Sequence, residues 1–404
     1  MQNIQEYLTN NLSTYLDTLR QMVNTNSFTA NANGVNRLGE FSAAKFSELG
    51  FSTEAIQSEN LHYGKHILMT HPGRSAKKIA LISHLDTVFP PEEELSNDFT
   101  WRIEGDRAYG PGTVDIKGGT VMMLMVLSAL KRFYPGIFET ITWIVGLDAS
   151  EEVLSNDFGR LLLERLDLQT LACLVFEGGT PVNQKAAMVV ARKGKANFKI
   201  QVVGRSAHSG NRHAQGANAI LQISHTIQQV AGLTDYNRQL TFNVGTLRGG
   251  SVVNRVPHYA EAEVEMRTFS PQVFQEGVNS IMTLNGKSQV SSQDGFPCKV
   301  EIIQLEQTAP WPRNPQTDRL FELWKSVGHE IRLSIIPEER GGLSDGNLLW
   351  EHLPTLDGLG PIGNNAHCSE RTEDRSKDQE FVLISSFVPK AILNILAIAR
   401  LASQ

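Results

Sequence analysis

Lys78-Ile79-Ala80-Leu81-Ile82-Ser83-His84-Leu85-Asp86 is the stretch on which the fold turns. Its short apolar run reads as a buried strand, and the chain leaves that strand through an imidazole and a carboxylate. Downstream, Gly118–Phe133 reads as a helix and 140–147 as a second strand, while 171–176 is a further apolar run that ends at Glu177. Strands alternating with helices are α/β order. Chemistry gathers at the carboxyl ends of such strands.

From about Gly194 the order changes to strand 195–203, helix 214–231, strand 241–247, strand Tyr259–Thr268, helix 271–284 and strand 298–305. This β-α-β-β-α-β run predicts a small ferredoxin-like α+β domain, with two helices on one face of a four-stranded antiparallel sheet. After Pro310, Pro312 and Pro315 the earlier pattern resumes. The expected organisation is therefore a larger domain of residues 1–193 and 306–404 interrupted by an inserted domain of residues 194–305.

Composition narrows the function. The chain has 404 residues, 41% hydrophobic and 20% charged, which excludes disorder and fibres. Lys and Arg total 37 against 43 Asp and Glu, and no basic stripe is present, so nucleic acid is not an expected partner. Residues 1–20 carry Glu6 and Asp17 and lack a basic segment followed by an apolar one. Cys173, Cys298 and Cys368 are too few and too scattered for a disulfide framework. Both features predict a cytoplasmic protein. The apolar stretch 381–402 is interrupted by Pro389, Lys390, Asn394 and Arg400, and is expected as a buried C-terminal helix with no membrane partner.

Five spots after strand-like runs could carry chemistry: His84 and Asp86, Asp115, the pair Glu151 and Glu152, Glu177, and His367. Together their imidazoles and carboxylates form a borderline ligand set suited to Zn²⁺ at a two-metal hydrolytic centre. Asp86 is placed to accept the second N–H of the His84 ring and fix its tautomer. Asp115 follows a glycine-rich turn and opens a helix, where a carboxylate can bridge two cations or simply cap the helix. Adjacent Glu151 and Glu152 point apart, so one can ligate while the other works on water.

These stretches resemble the dizinc aminoacylase and carboxypeptidase family, which includes glutamate carboxypeptidase, acetylornithine deacetylase and succinyl-diaminopimelate desuccinylase. The resemblance rests on Ser83-His84-Leu85-Asp86, Gly110-Pro111-Gly112 with Asp115-Ile116-Lys117-Gly118-Gly119, Ser150-Glu151-Glu152, Phe176-Glu177, Gly204-Arg205-Ser206-Ala207-His208-Ser209-Gly210 and Ala366-His367. It implies a catalytic domain with a mixed central sheet flanked by helices, and an inserted lid that also dimerises. It implies two divalent metal ions per chain, zinc first with cobalt or manganese as alternatives. One ion would be held by His84, Asp115 and Glu177, the other by Asp115, Glu152 and His367, with Glu151 as general base.

His208 matches the family's histidine that reaches the partner subunit's site and polarises the scissile carbonyl. Asn254 and Arg267 resemble residues that bind the carbonyl oxygen and the substrate carboxylate. Ser344, in Gly341-Gly342-Leu343-Ser344-Asp345-Gly346, resembles part of a substrate loop, with a helix cap as the alternative. The spacing from Glu177 to Lys185 is most similar to that of glutamate carboxypeptidase. Ala309-Pro310-Trp311-Pro312 stands where that enzyme type carries an Arg-Gly-Arg-Pro stretch. The implied function is hydrolysis of an amide bond beside a free carboxylate in a small peptide or N-acyl amino acid. An N-acyl amino acid deacylase is the alternative, and a non-catalytic binding protein keeping fold and metals is the third reading.

Overall fold

The computed structural model describes residues 1–153, 155–182 and 185–404, and the side chains of all of these except 181, 182 and 185. The chain forms two compact units, one of Met1–Val190, Arg313–Glu339 and Ser344–Gln404, the other of Ala191–Pro312 and Arg340–Leu343.

The first unit is built on a six-stranded mixed sheet. Its strands are β1 (Ser52–Gln57), β2 (Lys65–His71), β3 (Lys78–His84), β4 (Thr142–Asp148) and β5 (Thr170–Val175), with the short strand Thr355–Leu356 at the far edge. Their order is β1-β2-β4-β3-β5 and then Thr355–Leu356. β2 pairs antiparallel with β1 and β4, whereas β3 runs parallel to both β4 and β5. In β3 every residue from Ile79 to Ile82 is fully buried, because both sheet faces are covered. Ile79 and Leu81 join a core with Val121 and Met125 of helix α1 (Gly118–Phe133). Ala80 and Ile82 face Phe158 and Leu162 of helix α2 (Asn156–Leu163). A one-residue slip would exchange these faces, so the register that places His84 is held by the core.

Two glycines let other segments pass close behind β5. A Cβ on Gly119 would stand 2.0 Å from the Phe176 carbonyl oxygen, and one on Gly360 would stand 2.5 Å from the same oxygen and 2.8 Å from that of Glu177. Only glycine allows such approaches.

The stretch expected as one C-terminal helix divides. Phe381–Leu383 is a strand, Ile384–Ser386 a 3₁₀ turn, and the helix proper runs Phe387–Ala402. The segments Thr113–Phe133 and Ile384–Ala402 are long and apolar enough to cross a membrane, but 89% and 67% of their apolar windows are buried inside the structure. They are core segments here.

The second unit carries strands β6 (Gly194–Val203), β7 (Thr241–Gly249), β8 (Tyr259–Thr268) and β9 (Lys299–Thr308), with helices α3 (Ala219–Ala231) and α4 (Pro271–Met282). The strands are antiparallel in the order β7-β8-β6-β9. Burial alternates residue by residue along β6, as expected for a sheet with one covered face. Phe198, Ile200, Ala262 and Val264 meet Ile223 of α3 and Phe274 of α4 in its core. α3 starts later than the sequence pattern predicts. Asn218 caps it by accepting the N–H groups of Ile220 and Leu221, and His213–Gln215 forms a separate 3₁₀ turn.

Candidate metal centre

Because β3, β4 and β5 are parallel, their carboxyl ends share one edge of the sheet. His84 ends β3, Asp148 ends β4 just before Glu151 and Glu152, and Glu177 follows β5. Asp115 arrives from the turn Thr113–Lys117 ahead of α1, with non-helical φ −124° and ψ 85° and a cis peptide to Ile116. The N-cap of α1 is Lys117, which makes no side-chain cap bond. The Asp115 carboxylate is therefore not used for capping. His367 comes from a loop after Gly363–Asn364 and sits at φ 65°, the left-handed region.

Six predicted side chains meet here. Asp115 Oδ1 lies 3.0 Å from His84 Nε2, and its Oδ2 lies 3.3 Å from His367 Nε2. Glu177 Oε1 is 3.7 Å and Glu151 Oε2 3.9 Å from His84 Nε2, while Glu152 Oε2 is 3.2 Å from His367 Nε2. Ligand atoms of His84, Asp115 and Glu152 all fall within 4.8 Å of one another. Glu152 Oε1 is buried with no hydrogen-bond partner among the described residues. A buried oxygen of this kind, among carboxylates and two imidazoles, fits a divalent cation of borderline softness.

Electrostatics agree. Burial is the largest influence on Asp115 and would raise its pKa, yet His367 and His84 outweigh it and hold the carboxyl well below the usual range. Burial, then Asp115, pushes Glu152 up to about 7. Glu151 is pushed well above the usual range by burial, with His84 opposing. Asp115 and Glu152 raise His367 to about 11. Protons bound this firmly report a strongly negative local field, which a dication neutralises while displacing them.

The surroundings fix the ligands. The Asp86 carboxylate is buried and accepts the backbone N–H of Glu151 and of Glu152 at 3.1 and 3.3 Å, and the Thr29 hydroxyl at 2.7 Å. Here the structure amends the expectation for Asp86. The nearest acceptor for His84 Nδ1 is the Asp86 backbone carbonyl at 3.0 Å, with the carboxylate at 3.4 Å. Either contact leaves Nε2 facing the cluster.

Residues not foreseen in the sequence support the same turns. Glu380 Oε1 accepts the N–H groups of Val114 and Asp115 at 2.8 and 3.1 Å, and burial followed by Asp115 raises its pKa to about 8. Buried Lys117 donates to the carbonyls of Thr25 and Pro111 and is lowered to about 8 by burial. Buried His66, Asp148 and Asp345, with half-buried Asp157 beside His66, form a further group. Their only sequence signal is that Asp148 precedes Ser150-Glu151-Glu152 and Asp345 lies in the glycine-rich loop. Cys368 turns its thiol to the Glu370 carbonyl at 3.7 Å.

The remaining predicted residues fall elsewhere. Ser344 donates its hydroxyl to Asp357 at 2.8 Å and accepts the Gly346 N–H at 3.1 Å, so its single proton is engaged and its place is that of a cap. Lys185 opens the strand Lys185–Arg192, and its side chain lies outside the described residues. His208, Asn254 and Arg267 belong to the second unit. His208 is exposed, and its Nδ1 accepts the N–H groups of Gly210 and Asn211 at 3.1 and 3.2 Å. The neutral ring then carries its proton on Nε2. The Asn254 carbonyl accepts the Ser209 N–H at 3.1 Å. Arg267 pairs with Glu265 at 2.6 Å and donates to the Gly341 carbonyl at 2.8 Å.

The sequence profile of Peptidase family M20/M25/M40 matches residues 80–382. The chain is 29% identical over 362 residues to carboxypeptidase G2 of Pseudomonas sp. (strain RS-16), covering 89% of this chain and 84% of that one. It is 24% identical over 330 residues to acetylornithine deacetylase of Klebsiella pneumoniae (strain 342), covering 78% and 82%. Among solved structures, a tripeptidase from Staphylococcus aureus superposes with TM-score 0.76 at 21% identity, over 98% of this chain and 99% of that one. An M20 family metallo-carboxypeptidase from Sulfolobus solfataricus gives TM-score 0.73 at 15% identity, over 96% and 99%.

Proposed function

The chain belongs to Peptidase family M20/M25/M40, and from that premise we propose that it is a two-metal hydrolase of amide bonds beside a free carboxylate, of glutamate carboxypeptidase type. The observation that carries this reading is Asp115, which offers one oxygen toward His84 and the other toward His367. His84 and Glu177 would complete one site, and Glu152 and His367 the other. Zinc is the first choice, with cobalt and manganese acceptable to so many carboxylates.

Two bound divalent ions would polarise the scissile carbonyl and lower the pKa of the attacking water to about 7. Glu151 takes the proton of that water and delivers it to the departing nitrogen, so that water is added across the C–N bond to give a carboxylate and an amine. Burial raises its pKa, and a carboxyl of raised pKa is the kind of group that can accept a proton and return it. Asp86 holds the backbone of Glu151 and Glu152 in place. His208 would direct its Nε2–H at the developing oxyanion of a partner subunit's substrate. Arg267 would grip the substrate carboxylate, for which a planar guanidinium is suited, in competition with Glu265. Asn254 would bind the carbonyl oxygen. Lys185 rests on resemblance alone as a contact to a substrate side-chain carboxylate. Ser344 shapes the loop.

In this reading the catalytic domain is residues 1–193 and 306–404, and the inserted domain of residues 194–305 acts as lid and dimerisation surface. Two features support a homodimer. β7 is an edge strand, and Leu247, Val253, Ile220 and Leu221 beside it are exposed. A cytoplasmic location accords with three free cysteines. N-acyl amino acid deacylation is the second reading, favoured by the acetylornithine deacetylase relative and by Ala309-Pro310-Trp311-Pro312, which lacks the cations of an Arg-Gly-Arg-Pro stretch.

The test is turnover by metal-loaded protein of C-terminal dipeptides, acylglutamates and N-acetyl amino acids. Hydrolysis of acylglutamates above the others supports the first reading. Preference for N-acetyl amino acids supports the second, and no turnover of any class overturns both.

A further inference from the structure

The turn Ala149-Ser150-Glu151-Glu152 delivers both the proposed base and a proposed ligand, and two buried carboxylates hold it from different sides. Asp86 accepts the N–H groups of Glu151 and Glu152. Asp148 Oδ1 accepts the N–H of Ser150 at 2.9 Å. Asp148 itself is fully buried at the end of β4, where an isolated carboxylate is costly. Its companion is His66 of β2, also fully buried, with Nδ1 3.1 Å from Asp148 Oδ1.

On the other side His66 Nε2 stands 3.0 Å from Asp157 Oδ2. Asp157 is itself fixed by the Glu59 N–H at 2.8 Å and the hydroxyls of Ser58 and Ser155 at 3.2 and 3.1 Å. The Phe158 ring covers the imidazole at 5.4 Å. The Ala149 N–H also approaches Nδ1, at 3.2 Å, a contact open only to the neutral ring. Two flanking carboxylates decide for the charged ring, which gives each of them one N–H. The Asp345 carboxyl, from the glycine-rich loop, is pushed well above the usual range by burial and then by the charge of Asp148.

We propose that His66 is a positioning residue for the hydrolysis: clamped between Asp157 and Asp148, it fixes Asp148 and thereby the direction in which the Ser150 turn presents Glu151 and Glu152. This rests on the proposed hydrolase reading for its catalytic consequence, but not for its effect on metal binding.

The imidazole's two nitrogens allow a test. His66→Asn leaves a side-chain N–H where Nδ1 stands, toward Asp148, and loses the reach to Asp157. His66→Gln does the opposite. If His66 acts through Asp148, His66→Gln should lower kcat by about 10²-fold and weaken cobalt(II) affinity about 10-fold, read by visible absorption of the loaded protein. His66→Asn should stay within about threefold of wild type in both, and KM should change little in either. A purely structural role would instead order the two variants by thermal stability alone. Asp157→Asn is the second variant, since it removes the outer carboxylate while leaving His66 against Asp148. It should lower Tm yet keep kcat within about threefold.

Equal losses in folded His66→Asn and His66→Gln, or a kcat loss in Asp157→Asn as large as that in His66→Gln, would overturn the proposal. If wild-type protein hydrolyses none of the acyl substrates but cobalt affinity still separates Gln from Asn, the hydrolase reading fails and the positioning role stands.

Discussion

The carboxylate of Asp86 accepts the backbone N–H of Glu151 at 3.1 Å, so the residue behind one proposed metal ligand also orients the proposed base. Asp86→Ala should therefore weaken metal affinity and lower turnover together, each by about 10- to 100-fold. Isothermal titration with zinc and steady-state kinetics on the same preparation check this. Normal affinity with lost turnover would confine Asp86 to the Glu151 side.

Asp115 offers its two oxygens to different histidines, and elemental analysis should find up to two divalent ions per chain in protein purified without chelator. Asp115→Ala should lose both. Retention of two ions at wild-type affinity would remove Asp115 from the bridging position.

Glu151→Gln preserves the shape of the side chain and the backbone bond to Asp86. Metal content should be unchanged while kcat falls by about 10²- to 10⁴-fold. Single-turnover measurements with saturating enzyme separate this loss from any change in binding.

His208 lies in the second unit, whereas every proposed ligand lies in the first. His208→Ala should lower kcat by about 10²-fold with metal content intact. Mixing it with Glu151→Gln under subunit exchange should restore activity, because a mixed dimer has one site with its own Glu151 and its neighbour's His208. Exchange without recovery would refute action across the interface.

His66 gives the pH dependence of stability a sign. Burial alone would lower its pKa, but Asp148 and Asp157 outweigh burial and raise it to about 9. A folded-state pKa above the unfolded one contributes stability that is complete below about 6.5 and is lost as pH rises through about 9. Urea unfolding of the wild type should lose on the order of 3 kcal/mol more than His66→Asn across that interval. Parallel pH profiles of the two proteins would show that His66 is neutral in the fold.

Much of this site was readable because its residues follow strands or glycine turns, where local pattern and chemistry coincide. His84 after a buried run and Glu177 after another are of this kind. Asp115 is ambiguous between cap and ligand in sequence; in the structure Lys117 takes the N-cap position and both Asp115 oxygens face histidines. His66 was not readable: it sits within an apolar strand, and its partners Asp148 and Asp157 are brought to it only by strand pairing and by α2. The late start of α3 has a local cause, the Asn218 cap, which a purely hydrophobic reading of 214–231 overlooks. The C-terminal stretch reads as one helix in sequence because apolar content does not distinguish a three-residue strand from the helix that follows it.

Gly119 and Gly360, far apart in sequence, approach the same carbonyl of Phe176 beside Glu177. In a saturation-mutagenesis library they would behave as though they were ligand positions, although neither has a side chain to offer. Any added carbon must push the strand end that carries Glu177, so tolerance at these two positions would follow the tolerance of Glu177 itself rather than that of the surrounding core. The evolutionary freedom of this centre is thus set partly by residues whose only chemical property is the absence of a Cβ.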